Sequence, residues 1–171
     1  MKKLIFIFLL LFVSSSVWAA EEFSFRGVKW DMNQNDIKVV EKGVLKGELN
    51  QALIYDIEDF YQMSATVYYY FKNNNLSEVI FVVNESEDEE ANLSFLQAKY
   101  TEIKKDIQDE YGKITYDNYE EDFSQQSTKP RLYLTTIFKG KSSYKNKFTI
   151  SLFLNKTLDK PYRLSLSLQV Y

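Results

Sequence analysis

The chain has 171 residues, with 13 Tyr, 13 Phe, two Trp, no Cys, no His and a formal net charge of −3. Without His or Cys there is no imidazole base, no Ser-His or Cys-His nucleophile, no thiolate zinc site and no disulfide, so carboxylates are left as acid/base or metal-binding groups. Five Gly and two Pro are too few for a linker-rich chain, and 26% charged with 45% apolar residues fits an ordinary globular domain.

Taken in chain order, Lys2 and Lys3, the apolar run Leu4 to Val13 and the small-residue stretch ending Trp18-Ala19 have the form of a bacterial secretory signal. The run is short of the roughly 20 apolar residues that a membrane span needs. Small residues at Val17 and Ala19 predict cleavage before Ala20, and no Cys follows that could accept a lipid. The expectation is therefore a signal over residues 1–19 and a single exported domain over 20–171, periplasmic or secreted, with no transmembrane span after cleavage. That domain carries 19 bases against 24 acids, a net of −5, and keeps Trp30 as its single Trp. Its size suits one core that buries about 70% of the unfolded surface without disulfides.

Asn33 caps a short predicted helix over about 34–42, with Asp36 completing a capping box, Met32 and Ile37 forming a staple, and Gly43 as the stop. Three strands follow by their alternation: Ala52–Asp59, Ser64–Lys72 and Leu76–Asn84. The last two are joined at Asn73-Asn74-Asn75, where asparagine tolerates positive φ. Val79 to Val83 is apolar on both faces and is a candidate central strand. A capping box at Ser86 and Glu89 then starts a long helix. Its Leu93, Leu96, Tyr100, Ile103 and Ile107 recur at spacings of three and four before Gly112. Beyond it, Lys113–Tyr119, Leu132–Lys139, Lys147–Leu154 and Arg163–Val170 alternate as strands. Strand blocks with a helix before each give an α+β fold: a curved antiparallel sheet with one short and one long helix in two layers. No internal repeat stands out, although a helix before each block leaves room for a diverged duplication.

The segment Phe25-Arg26-Gly27-Val28-Lys29-Trp30-Asp31-Met32 before a short helix, together with Glu110-Tyr111-Gly112-Lys113 at the end of the long one, resembles small exported bacterial proteins. These share the helix-on-sheet architecture of β-lactamase inhibitory proteins and SmpA/OmlA-type assembly lipoproteins. The resemblance covers about 20 residues plus the order of elements. It implies a protein-binding, non-enzymatic role and no particular functional residue. The chain carries Asp31 where Gly is usual and has none of the lipid-acceptor or paired cysteines.

Charge is segregated. Residues 85–122 have a net of −9, residues 129–163 a net of +8 and residues 20–84 a net of −4, a distribution that can steer a charged partner or simply serve solubility. Lys139, Lys141, Lys145 and Lys147 flank the turn at Gly140-Lys141-Ser142-Ser143-Tyr144. They predict a lysine-tipped hairpin able to touch anionic lipid, glycan or an acidic protein surface, or to protect an edge from aggregation. Thr66, Tyr68 and Tyr70 share one strand face opposite Val67, Tyr69 and Phe71, and Tyr133 and Phe153 lie opposite the Leu/Ile faces of their strands. These tyrosines can serve a partner surface or pair across strands.

Asp117, Glu120, Glu121 and Asp122, or Asp56, Glu58 and Asp59, are the carboxylates available for hydrolytic acid/base work. Glu85, Glu87 and Glu89 lack the surrounding calcium-loop pattern. No metal or cofactor is implied, and an exported protein of negative net charge is not expected to bind nucleic acid. The resulting expectation is a non-enzymatic interaction or inhibitor-like module whose sheet face or basic hairpin contacts another protein or envelope component. A periplasmic small-ligand or glycan binder is the first alternative and a carboxylate hydrolase the second.

Overall fold

A computed structural model describes residues 26–83, 89–122, 131–141, 147–157 and 160–171. The proposed signal, Ser86 and the hairpin tip 142–146 lie outside the described residues.

The first helix, α1 (Gln34–Val40), starts as its sequence dictates. The Asn33 side chain accepts from the backbone N–H groups of Asn35 and Asp36, and Asp36 accepts from the Asn33 N–H in return. It ends two residues earlier than expected, with Glu41 already extended. Gly43 is not a helix stop but a contact point. A Cβ there would lie 2.7 Å from the Asp56 carbonyl and 2.7 Å from Ile57 Cγ2. Four strands follow: β1 (Val44–Leu49), β2 (Ala52–Phe60), β3 (Met63–Lys72) and β4 (Asn75–Val83). The helix α2 (Glu89–Tyr111) leads into β5 (Ile114–Asp122), β6 (Arg131–Lys141), β7 (Lys147–Thr157) and β8 (Lys160–Val170). Gly112, at φ +84°, closes α2 by donating its N–H to the Gln108 carbonyl.

The result is an α+β fold on one eight-stranded antiparallel sheet in the order β1-β2-β3-β4-β8-β7-β6-β5, which is not closed into a barrel. It has one strand more than the sequence pattern showed, because β1 is exposed on both faces and gives no alternation. Each half is a helix followed by a four-stranded meander, and the halves meet where β4 pairs with β8. The registers relate the halves by an approximate two-fold through the pair Ile80↔Ser167. From that pair one row of partners runs outward through Tyr68, Ile54 and Gly47 on one side. On the other side it runs through Ser151, Ile137 and Tyr116. Each edge strand carries a register shift at the corresponding place, Leu45/Gly47 in β1 and Ile114/Tyr116 in β5. The helices obey the same relation: Lys38 of α1 bonds Glu48 of β1 at 2.6 Å, and Lys104 of α2 bonds Asp117 of β5 at 2.5 Å.

Alternation along the strands puts one core on one side of this sheet. Leu53, Tyr55 and Ile57 of β2, Val67, Tyr69 and Phe71 of β3, and Val79 and Phe81 of β4 are buried. So are Leu164, Leu166 and Leu168 of β8, Ile150, Leu152 and Leu154 of β7, and Phe138 of β6. Ile37 of α1 and Leu96, Tyr100, Ile103 and Ile107 of α2 pack into the same cluster, so both helices cover the same face. Among the described residues no element covers the other face, and no helix is long and apolar enough to cross a membrane.

Candidate functional site

Strand alternation decides which side chains reach the open face, and the burial of every second residue confirms it. In β3 the residues Thr66, Tyr68 and Tyr70 point away from the buried Val67, Tyr69 and Phe71. The Tyr68 and Tyr70 rings stack at 6.4 Å between centroids and 9° between planes. Their cross-strand neighbours are Ile54 and Ile80 beside Tyr68, and Ala52 and Glu78 beside Tyr70. Val82 lies further along β4, and Val44 and Leu49 of the edge strand complete the apolar surface at 67% and 61% exposure. A sequence reading that stops at Tyr68 and Tyr70 misses these aliphatic groups. The signal that finds them is the two-faced apolar run Val79 to Val83 on a strand covered on one face only.

The other half of the same face carries Phe153 of β7, with Ser165 and Thr135 as its cross-strand partners. It also carries Lys139 and Lys147. Both lysines line an open groove of about 690 Å³ with Ile137, Phe148, Thr149 and the exposed Tyr171. Thus Tyr68, Tyr70, Phe153, Lys139 and Lys147, chosen from sequence for two separate reasons, lie on one face. The side chains of Tyr133 and Lys141, and the whole of Lys145, lie outside the described residues.

Charge on this face is unevenly compensated. Asp56 accepts a hydrogen bond from Thr66 at 2.9 Å and pairs with Lys46 at 3.1 Å, contacts that hold its carboxyl below the usual value. Glu78 accepts from Ser167 at 3.1 Å. Among the described residues no carboxylate pairs with Lys139, Lys147 or Arg163. The basic character is therefore available on the β6–β8 side.

Two polar clusters on the helix side have structural roles. Glu41, its side chain fully buried, accepts from Arg26 Nη2 at 3.1 Å, from the Gly43 N–H at 2.8 Å and from the Tyr69 hydroxyl. Burial alone would raise its pKa; the hydrogen bonds from Arg26, Tyr69 and Gly43 outweigh that and hold it below the ordinary range. Arg26 also reaches Asp59. In the other half the buried Thr136 donates to Asp117 at 2.6 Å and meets the Tyr100 hydroxyl at 2.6 Å. Burial pushes the Tyr100 phenol up to about 12. Tyr100 and Asp117 line an open groove of about 470 Å³ with Lys104, Lys105, Gln108 and Tyr119.

Three of the sequence-selected carboxylates, Asp56, Asp59 and Asp117, are thus engaged with cations or hydroxyls. The side chains of Glu120, Glu121 and Asp122 lie outside the described residues. Among the described residues no three His, Cys, Asp or Glu side chains gather to hold a metal ion. Comparison with protein-family models, curated proteins and solved structures gives no match.

Proposed function

We propose that the protein is an exported, non-enzymatic interaction module that binds another protein or envelope component through the open face of its sheet. One observation carries the reading: a sheet face, covered by none of the described elements, that presents stacked tyrosines, aliphatic groups and lysines together. Tyrosine supplies apolar area with a polar tip at low entropic cost, and contiguous exposed apolar surface on a folded domain marks an interaction site. The two grooves are open to solvent, which favours a macromolecular partner over an enclosed small ligand. The resemblance of residues 25–32 and 110–113 to small exported inhibitor-like proteins, and the signal-like residues 1–19, point the same way.

The test is affinity capture from a periplasmic extract with wild type and a Tyr68→Ala/Tyr70→Ala variant matched for thermal stability. Wild type is expected to retain a specific partner, which the variant binds at least about tenfold more weakly. Recovery of the same partners by both proteins, or of none by either, removes the reading.

A further inference from the structure

The approximate two-fold supplies an internal control for the open face. Positions of the β1–β4 half whose counterparts are described occupy the same place in the pairing register as residues of the β5–β8 half. Leu49 corresponds to Asn118, Tyr68 to Ser151, Ile80 to Ser167 and Val82 to Gln169. At all four, the first half is apolar or aromatic and the second is polar. The second half therefore shows that this frame is built with polar groups at these positions, and folding of the sheet does not demand the apolar ones. Other counterparts on this face differ less simply: Asp56 corresponds to Lys139, Tyr70 to Phe153, Ile54 to Ile137, and Gly47 to the exposed Tyr116.

We infer that the partner is a protein surface with an apolar cluster that seats on the β1–β4 half, around Tyr68, Tyr70, Ile80 and Val82, and an acidic flank that reaches Lys139 and Lys147. The inference rests on the open face being a protein-binding surface.

Size supports a two-part footprint. Strands β2 to β4 at about 4.8 Å spacing, over three two-residue steps of about 6.7 Å, make a patch of roughly 300 Å². A stable interface buries about 800 Å² on each partner, so contact must continue beyond the apolar half. The row that holds Tyr70 runs through Glu78, Gln169 and Thr149 to Lys139, four strand spacings or about 19 Å away. Along it, the surface passes from the Tyr70 ring through the Glu78 carboxylate, which accepts from Ser167, and the amide and hydroxyl of Gln169 and Thr149 to the cation of Lys139. Charge complementarity fixes the chemistry of the flank: Asp56 and Glu78, the acids beside the apolar patch, already have Lys46, Thr66 and Ser167. Lys139 and Lys147 have no carboxylate among the described residues, and an acidic flank supplies it.

A library of random 16-residue peptides displayed on phage, panned against the full exported chain, provides the probe. The strongest peptide is then synthesised and titrated by fluorescence anisotropy. Selected peptides are expected to combine aromatic or aliphatic residues with Asp or Glu. Replacing the first-half residues by their counterparts, Tyr68→Ser/Ile80→Ser/Val82→Gln, should weaken binding by about 30-fold or more. Lys139→Glu/Lys147→Glu should weaken it about tenfold and flatten its salt dependence. Ser151→Gln, in the control half, should change affinity less than twofold. Circular dichroism and thermal melting establish that each variant is folded, and single Tyr68→Ser replaces the triple variant if the latter melts below the assay temperature.

Several outcomes overturn the inference, and they are distinguishable. Peptides that bind but respond to Ser151→Gln and not to the first-half variant keep the face and reject the half. Peptides without acids, or indifferent to the lysine reversal, reject the acidic flank. A concentration-dependent dimer abolished by the triple variant assigns the patch to a second copy of this chain. If no peptide binds, or none responds to any open-face variant, the reading of the face as a binding surface fails with it.

Discussion

In the β1–β4 half a buried charge ties the segment after α1 to the sheet, whereas in the β5–β8 half a neutral hydroxyl joins helix to strand. Glu41 is met by Tyr69 of β3 in the first case, and the position corresponding to Tyr69 is Leu152 in the second. The corresponding pair Leu53 and Thr136 is apolar in the first half and hydrogen-bonded to Tyr100 and Asp117 in the second. Even volumes are exchanged. Ile57 faces Ala65 across β2 and β3, and the counterpart pair is Gly140 facing Phe148 across β6 and β7. A common frame thus accepts different side chains wherever volume is filled and polar groups are satisfied. Inside, the exchanges are compensated; on the open face, apolar for polar, they have no compensating partner among the described residues.

The largest effect is expected from the charge found in one half only. Arg26→Met leaves the Glu41 carboxylate buried without its cation, a change that costs about 3–5 kcal/mol, a large part of the roughly 5–15 kcal/mol of a typical domain. Thermal melting should show a fall of about 10 °C or more. The same cluster gives this half its acid sensitivity. The folded-state pKa of Glu41 lies below its unfolded value. Its stabilisation is therefore complete above about pH 4.5 and is lost as pH falls through the lower folded value. Asp56 and Asp117 are also held low and act in the same direction. Melting curves from pH 7 to pH 3 should fall less steeply for Glu41→Gln than for wild type. Equal slopes would mean that the first half does not depend on a buried charge.

An intermediate effect is expected where the halves exchange volume. A Cβ on Gly140 would lie 2.3 Å from Phe148 Cζ, so Gly140→Ile should cost about 1–3 kcal/mol by overpacking. Gly140→Ile/Phe148→Ala copies the first-half pair Ile57–Ala65 and should recover most of that loss in urea unfolding. A double variant no more stable than the single one would show that the two halves are not interchangeable at this layer.

Local signals made much of this architecture legible. Asn33 and Asp36 formed the predicted capping box, Gly112 closed α2, and Asn73 and Asn74 adopted the positive φ expected of their turn. The alternation Leu164, Leu166, Leu168 placed β8 correctly because one face is buried and the other is not. The strand β1 was hidden for the converse reason: Val44, Leu45 and Leu49 are all exposed, so periodicity carries no information there. The turn at Tyr61 and Gln62, both at positive φ, lacks the Asn or Gly that would announce it. Glu41 gave no signal either, since its partners Arg26 and Tyr69 are 15 and 28 residues away. Tyr68, Tyr70 and Phe153 were correctly assigned to the non-core face of their strands. That the lysines share that face follows only from the registers of β3 through β8, which no local pattern contains.

The smallest expected effect bears most directly on function. If Tyr68 is apolar for a partner and not for the fold, Tyr68→Ser should cost less than about 1 kcal/mol. What is lost is β-propensity, the stack on Tyr70 and the cross-strand pairing with Ile54 and Ile80. The reverse substitution in the control half, Ser151→Tyr, should alter stability by less than about 0.5 kcal/mol. Denaturant unfolding of both single variants measures this against the Arg26→Met reference. A loss for Tyr68→Ser as large as a core truncation, about 2 kcal/mol or more, would make the tyrosine part of what holds the sheet together. The contrast between Tyr68 and Ser151 would then record a difference in how the two halves are stabilised, and its bearing on a partner would be lost. A small loss leaves the contrast between Tyr68 and Ser151 unexplained by folding of the sheet, as a binding role for Tyr68 requires.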